Sequence, residues 1–220
     1  MLSDRESVAA VGEMGYWEIE NKLKEMEGEV RTIFGATGGI YAIRKSLYQP
    51  LPTDRMVNDD FVVAMAVVEA GYDVVYRRDA LAYEQALHSV SQEYRRKIRI
   101  GAGNVYSMVR FFHLLNPKRG FVAFGLFSHK YLRWLLPFWM LILLGSNLFL
   151  LGNTLYQLTL AAQLVFYGAS GLGYLAAIFG WQMRVFTYPF WFFLLNLGLL
   201  IGAVRYILGL QRPTWSKGRD

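Results

Sequence analysis

Two uncharged stretches limit what this chain can fold into. From Trp134 to Met183 there is no Asp, Glu, Lys, Arg or His, and after Arg184 the run Val185 to Val204 is again uncharged. A helix crosses the hydrocarbon core of a bilayer in about 20 apolar residues, because each residue rises about 1.5 Å. The first run is long enough for two crossings, with Gly152-Asn153-Thr154 as the turn, and the second for one. Residues 134–210 therefore predict about three transmembrane helices, since buried core helices rarely stay free of charge for so long. The composition agrees: 54% of the chain is hydrophobic and 18% charged, where soluble domains carry about 25% charge.

The charges that remain are unevenly placed. The net charge is +6, yet sixteen of the 17 acidic residues lie at or before Glu93, and none occurs from Tyr94 to Arg219. Between Tyr94 and Arg133 stand Arg95, Arg96, Lys97, Arg99, Arg110, Lys118, Arg119, Lys130 and Arg133. A basic block beside a first membrane helix follows the positive-inside rule and suits anionic headgroups. It abuts the membrane and no nucleic-acid motif accompanies it, so nucleic acid is not the expected partner. With no cysteine, disulfides, thiolate metal sites and a Cys nucleophile are excluded.

Upstream, Tyr16, Trp17, Ile19, Leu23, Met26 and Val30 recur at roughly helical spacing, so residues 1–33 read as mainly helical. Gly35-Ala-Thr-Gly-Gly39 is a flexible break, and Tyr41 to Leu47 reads as a short strand or a strand-to-helix passage. Asn58 is placed to cap a helix from Asp59 to Ala70, ended by Gly71. Asp73–Tyr76 and Ala80–Tyr83 read as short strands, and Ser91 to Phe112 as a strongly basic helix. Residues 116–133, aromatic and basic, read as an interfacial amphipathic segment, and 211–220 as a basic tail.

Three clusters can carry chemistry. Asp59 and Asp60 follow Asn58 at a helix start, where the helix dipole favours ionised carboxylates able to take a proton from a hydroxyl. The same residues also make an ordinary cap. Gly35 to Gly39, with Gly38 and Gly39 at its end, lets backbone approach a ligand closely, or is a plain turn. Arg96 and Arg99, in Arg95-Arg96-Lys97-Ile98-Arg99-Ile100-Gly101-Ala102-Gly103, have the fork geometry for diphosphate oxygens, or line a solvated basic helix.

Taken in order, these segments resemble the second half of the family 2 glycosyltransferases, which include the processive cellulose, chitin and hyaluronan synthases. Gly35-Ala-Thr-Gly-Gly-Ile-Tyr-Ala-Ile-Arg-Lys is similar to the family segment that lines the acceptor sugar, and Asn58-Asp59-Asp60-Phe61 to its Thr-Glu-Asp or Gly-Asp-Asp motif. The resemblance implies that Asp60 is the catalytic base, with Asp59 orienting it or touching the acceptor. Arg99 falls where a family Arg contacts the nucleotide diphosphate. Arg96 and Ile100 stand where the family has Gln and Trp, a departure that bears on processive synthesis rather than on transfer.

The resemblance further implies an α/β partial GT-A catalytic half over residues 1–115, followed by an all-α transmembrane region. The expected substrates are a nucleotide sugar and a glycan or lipid acceptor, in polysaccharide or glycoconjugate synthesis. Residues 1–34 hold one Asp, Asp4, and supply neither the early Asp nor the Asp-x-Asp of the family's nucleotide-binding half. The divalent cation, Mg or Mn, is therefore expected to take its ligands from outside this sequence, and the chain alone is expected to be inactive. The expected location is the plasma (inner) membrane with the catalytic part cytosolic. A non-catalytic membrane module that depends on a partner and a small transporter are the competing classes. Span number also stays open: three crossings separate the catalytic side from the tail, whereas Arg205, Arg212, Lys217 and Arg219 place the tail on the cytosolic side.

Overall fold

Eight consecutive residues of one helix, Phe61 to Val68, are buried, and the part of the molecule before the long apolar helices is built around them. In the computed structural model, which describes residues 8–82, 90–179, 181 and 184–211, this helix is α2, Asp59–Glu69. It is apolar on every side after its first turn, so it must sit inside. Its end is a Schellman arrangement: Gly71 has φ 88°, its N–H donates to the Val68 carbonyl at 3.1 Å, and the Tyr72 N–H donates to the Val67 carbonyl at 3.1 Å. Helix α1 (Val8–Val30) precedes it, and the basic helix α3 (Val90–Arg110) follows. Arg110 grips Glu69 of α2 with two donated bonds of 2.8 and 2.6 Å.

The core joins Phe34, Phe61, Met65, Phe111, Leu114, Leu126 and Tyr131. Phe61 meets the edge of Phe111 at 6.0 Å between ring centroids and of Trp134 at 4.9 Å. Burying each such ring contributes about 1.5–3 kcal/mol. Gly125 leaves room for Phe34, since a Cβ there would lie 2.1 Å from the ring.

The expected α/β half does not form. Among the described residues there is no strand, only an isolated bridge between Thr37 and Ile40. The 41–47 segment ends in a 3-10 turn, Lys45–Leu47. Residues 73–76 are extended and lie beside 32–33, where the Ile33 N–H donates to the Val74 carbonyl at 3.0 Å. The Val74 N–H, however, is taken by the Thr32 hydroxyl at 2.9 Å. A ladder needs successive backbone partners, and a side chain occupies the next place. Ala80 to Ala82 pairs with no strand, and Tyr83 lies outside the described residues.

After 3-10 turns at Phe112–Leu115 and Pro117–Arg119, α4 (Phe121–Gly125) passes through a π-helical turn, Leu126–Tyr131, into α5 (Leu132–Phe149). Helices α6 (Thr154–Ile178) and α7 (Arg184–Ile207) complete the chain. Three helical stretches are long and apolar enough to cross a membrane: Phe121–Phe149, Thr154–Ile178 and Val185–Ile207. Asn153 caps α6, accepting from the Leu155 N–H at 2.9 Å, so the turn lies where the glycine and asparagine place it.

Helices α5 and α6 form an antiparallel hairpin clasped by neutral polar groups. Asn147, wholly buried, donates to Gln163 at 3.1 Å and accepts from the Thr159 hydroxyl at 2.8 Å. Gln163 donates to the Met140 carbonyl at 3.1 Å and to the Tyr167 hydroxyl at 2.8 Å.

Candidate functional site

The structure brings two of the three sequence clusters together. An added methyl at Gly38 would lie 3.4 Å from Asp60 Oδ2, so the glycine loop faces the second acid of the pair across little more than a van der Waals gap. The loop is held there from two sides. The Ala36 N–H donates to the Asp60 backbone carbonyl at 3.2 Å. Lys24 of α1 donates to the Ala36 carbonyl at 3.2 Å and to the Thr37 hydroxyl at 3.1 Å. Gly39 comes near Ala82, which an added methyl would approach to 3.6 Å.

The helix start does not lower the Asp60 carboxyl, as the dipole alone suggests it should. Burial raises its carboxyl above the usual aspartate range and the neighbouring Asp59 adds to the rise. The Phe61 N–H bond and the charges of Lys24 and Lys130 pull the other way. Asp59 is exposed on the outer side of the same turn. Tyr41 sits within the field of both acids: burial first, then the charges of Asp59 and Asp60, push its phenol up.

Asn58 occupies the capping position of α2 without capping it. Its amide donates instead to the Ile100 carbonyl at 3.2 Å and to Asn104 Oδ1 at 2.9 Å. A methyl at Gly103 would collide with it at 2.4 Å. The acid pair is thus pinned to α3, the helix that carries Arg96 and Arg99. Arg96 donates to Glu93 of its own helix at 3.3 Å. Arg99 forms no hydrogen bond or ion pair among the described residues and lies at a partly exposed position. The structure brings the helix of the two arginines to the acids and leaves Arg99 out of contact with them.

The polar cluster that sequence reasoning missed lies behind the site. On α1 the buried face is charged: Glu20, Lys24 and Glu27 are buried, while Ile19, Met26 and Val30 are exposed. The partners come from the π-helical turn and the start of α5. Glu20 accepts from Lys130 at 2.9 Å and from Arg133 at 2.6 Å. The His129 ring lies between Glu20, at 3.3 Å, and Glu27. Burial alone would raise the Glu20 carboxyl; His129, Lys130 and Arg133 together hold it far below the usual range. Burial lowers Lys24, opposed by the charges of Glu20, Asp60 and Glu27. The signal was present, since Glu20, Lys24 and Glu27 recur at i, i+4 and i+7 on one helical face.

Among the described residues no group of three His, Asp or Glu stands in a position to hold a metal ion, and the charge nearest Asp60 on α1 is a lysine. The site as built does not fit a divalent cation. No family model matches the chain, and neither the curated proteins nor the solved structures compared with it give a match.

Proposed function

We propose that this chain forms the acceptor side of a membrane-bound inverting glycosyltransferase, transferring a sugar from a nucleotide sugar to a glycan or lipid acceptor. The observation that carries the proposal is Asp60, half-buried at the first turn of α2 with Gly38 against its Oδ2. A glycine there leaves the floor of the site open for a sugar ring, and an acid raised by burial is a stronger base than an exposed one. In the step, the acceptor hydroxyl oxygen bonds to the anomeric carbon, its proton passes to Asp60, and the nucleotide diphosphate leaves with the bonding electrons. Arg99, partly exposed and uncommitted among the described residues, is placed on the pinned helix to meet that developing negative charge. The three apolar helices keep this site beside the bilayer, where a lipid-linked or growing glycan acceptor is at hand.

The test supplies a nucleotide-binding half to the chain and follows sugar transfer in membranes. Asp60→Asn is expected to lower transfer by about 10²–10⁴-fold, the usual scale for a general base, with helix content unchanged. In the parent protein, transfer should also fall as the pH drops through the raised Asp60 value, because only the ionised acid accepts the proton. Near-normal transfer by Asp60→Asn would move the base elsewhere.

A further inference from the structure

We infer that α7 does not cross the bilayer: α5 and α6 form a two-span hairpin, and α7 lies in the membrane interface on the same side as the α2–α3 core. This is independent of any enzymatic activity.

The path of the chain is the first ground. Trp134, at the start of α5, packs on Phe61 in the core. Along the hairpin, Met140 and Asn147 of α5 meet Gln163 and Thr159 of α6 in reverse order, so α6 returns to the level at which α5 left. Helix α7 starts from that returned end: Ser170 donates to the Pro189 carbonyl at 3.0 Å, and Tyr174 meets Phe190 at 6.0 Å. The other end of α7 is also at the core. Towards that end, a methyl at Gly202 would lie 2.9 Å from the backbone nitrogen of Ala102, a wholly buried residue of α3. A helix with both ends beside extramembrane elements has not changed sides.

The second ground is what α7 is packed against. Its glycines bring it backbone to backbone with α3. A methyl at Gly202 would lie 2.0 Å from the Ile98 carbonyl oxygen, one at Gly198 would lie 2.8 Å from Lys97 Cβ, and one at Gly101 would lie 2.4 Å from the Leu199 carbonyl oxygen. The contacts advance together from Val90 near Phe190 and Trp191 to Ile98 near Gly202, so the two helices run side by side in the same direction. Helix α3 carries Glu93, Arg95, Arg96, Lys97, Arg99 and Arg110. Were α7 to span, α3 would be carried into the hydrocarbon with it, and each of those charges is costly there. Arg110 is also tied to Glu69, so α2 would be drawn along.

The outer face of α7 identifies what covers it. Val185, Tyr188 and Ile207 are exposed at spacings that place them on one side of the helix. An apolar stripe with an aromatic residue, opposite a face docked on a basic helix, fits the headgroup–acyl boundary. This arrangement also puts Arg205, in the last turn of α7, on the same side as the basic block of α3, as the positive-inside rule requires.

The chain has no cysteine, so single-cysteine variants report position without background. Lys118→Cys, Gly152→Cys and Leu210→Cys are made in the membrane-bound protein, and sealed vesicles are treated with a membrane-impermeant maleimide before and after permeabilisation. All three positions are exposed, and an added Cβ at Gly152 meets nothing. Lys118→Cys and Leu210→Cys are expected to label from one side and Gly152→Cys from the other. Leu210→Cys labelling together with Gly152→Cys would establish three crossings and overturn the inference. All three labelling from one side would overturn it too, because the hairpin would not span.

Discussion

Two polar clusters tie helices together in this chain, and they are made of different chemistry. The joint between α1 and the π-helical turn uses full charges: Glu20 and Glu27 against His129, Lys130 and Arg133. The clasp between α5 and α6 uses only neutral groups: Asn147, Thr159, Gln163 and Tyr167. The first stands at the foot of the membrane helix, where Arg133 still reaches solvent. The second lies well inside the uncharged run. The contrast follows the charge pattern along the first apolar helix. Charges are used up to Arg133, and beyond it polar contacts are limited to groups that cost less to take out of water.

The largest effect is expected from breaking the charged joint. Glu20→Ala leaves Lys130 and Arg133 without their anion, while His129 keeps Glu27, and removing one member of a buried ion pair costs about 3–5 kcal/mol. Thermal unfolding in detergent should show a marked loss, whereas a change near zero would mean that water already solvates the cluster. Asn147→Leu should cost less, about 1 kcal/mol, the scale of interhelical hydrogen bonds in membranes. It should loosen the hairpin while leaving α1 in place, read by hydrogen exchange in the two segments. The comparison sharpens further with pH. Glu20 is depressed in the fold from an ordinary 4.5, so its contribution is present above that value and lost as the pH falls below it. Asp60 has the opposite sign: raised in the fold, it favours the folded state at low pH and ceases to as the pH rises through its own value. Acidification should therefore release α1 before the α5–α6 clasp, which holds no carboxylate. Simultaneous loss of exchange protection in both would show that the two joints are one cooperative unit.

The three long apolar helices were legible because long runs without charge fit helices that face hydrocarbon or its boundary. The turn at Gly152-Asn153, the extent of α2 and its glycine stop were legible for similarly local reasons. Asp60 and the glycine loop were each singled out in the sequence, but not their meeting, nor the weakened acidity of Asp60, which comes from burial that no local pattern reveals. The sheet was misread because Asp73–Tyr76 has strand-like side chains, and only the fold shows that Thr32 takes the Val74 N–H. The buried face of α1 was missed for a complementary reason. Its apolar residues recur at helical spacing, yet the surface it meets is cationic, so the acids turn inward and Ile19, Met26 and Val30 remain outside. Asn58 looked like a cap and is instead a strut to α3, a choice made by a partner distant in sequence.

The π-helical turn sets the azimuth of everything that follows it. It accommodates an additional residue, which lets the consecutive side chains of His129 and Lys130 both address Glu20. Every residue in a helix turns the next by about 100°, so a one-residue deletion there would swing α5 by roughly a quarter-turn or more. Asn147 would then point away from Gln163. A local irregularity thus fixes the rotational phase at which the hairpin closes at Asn147, about four turns further along.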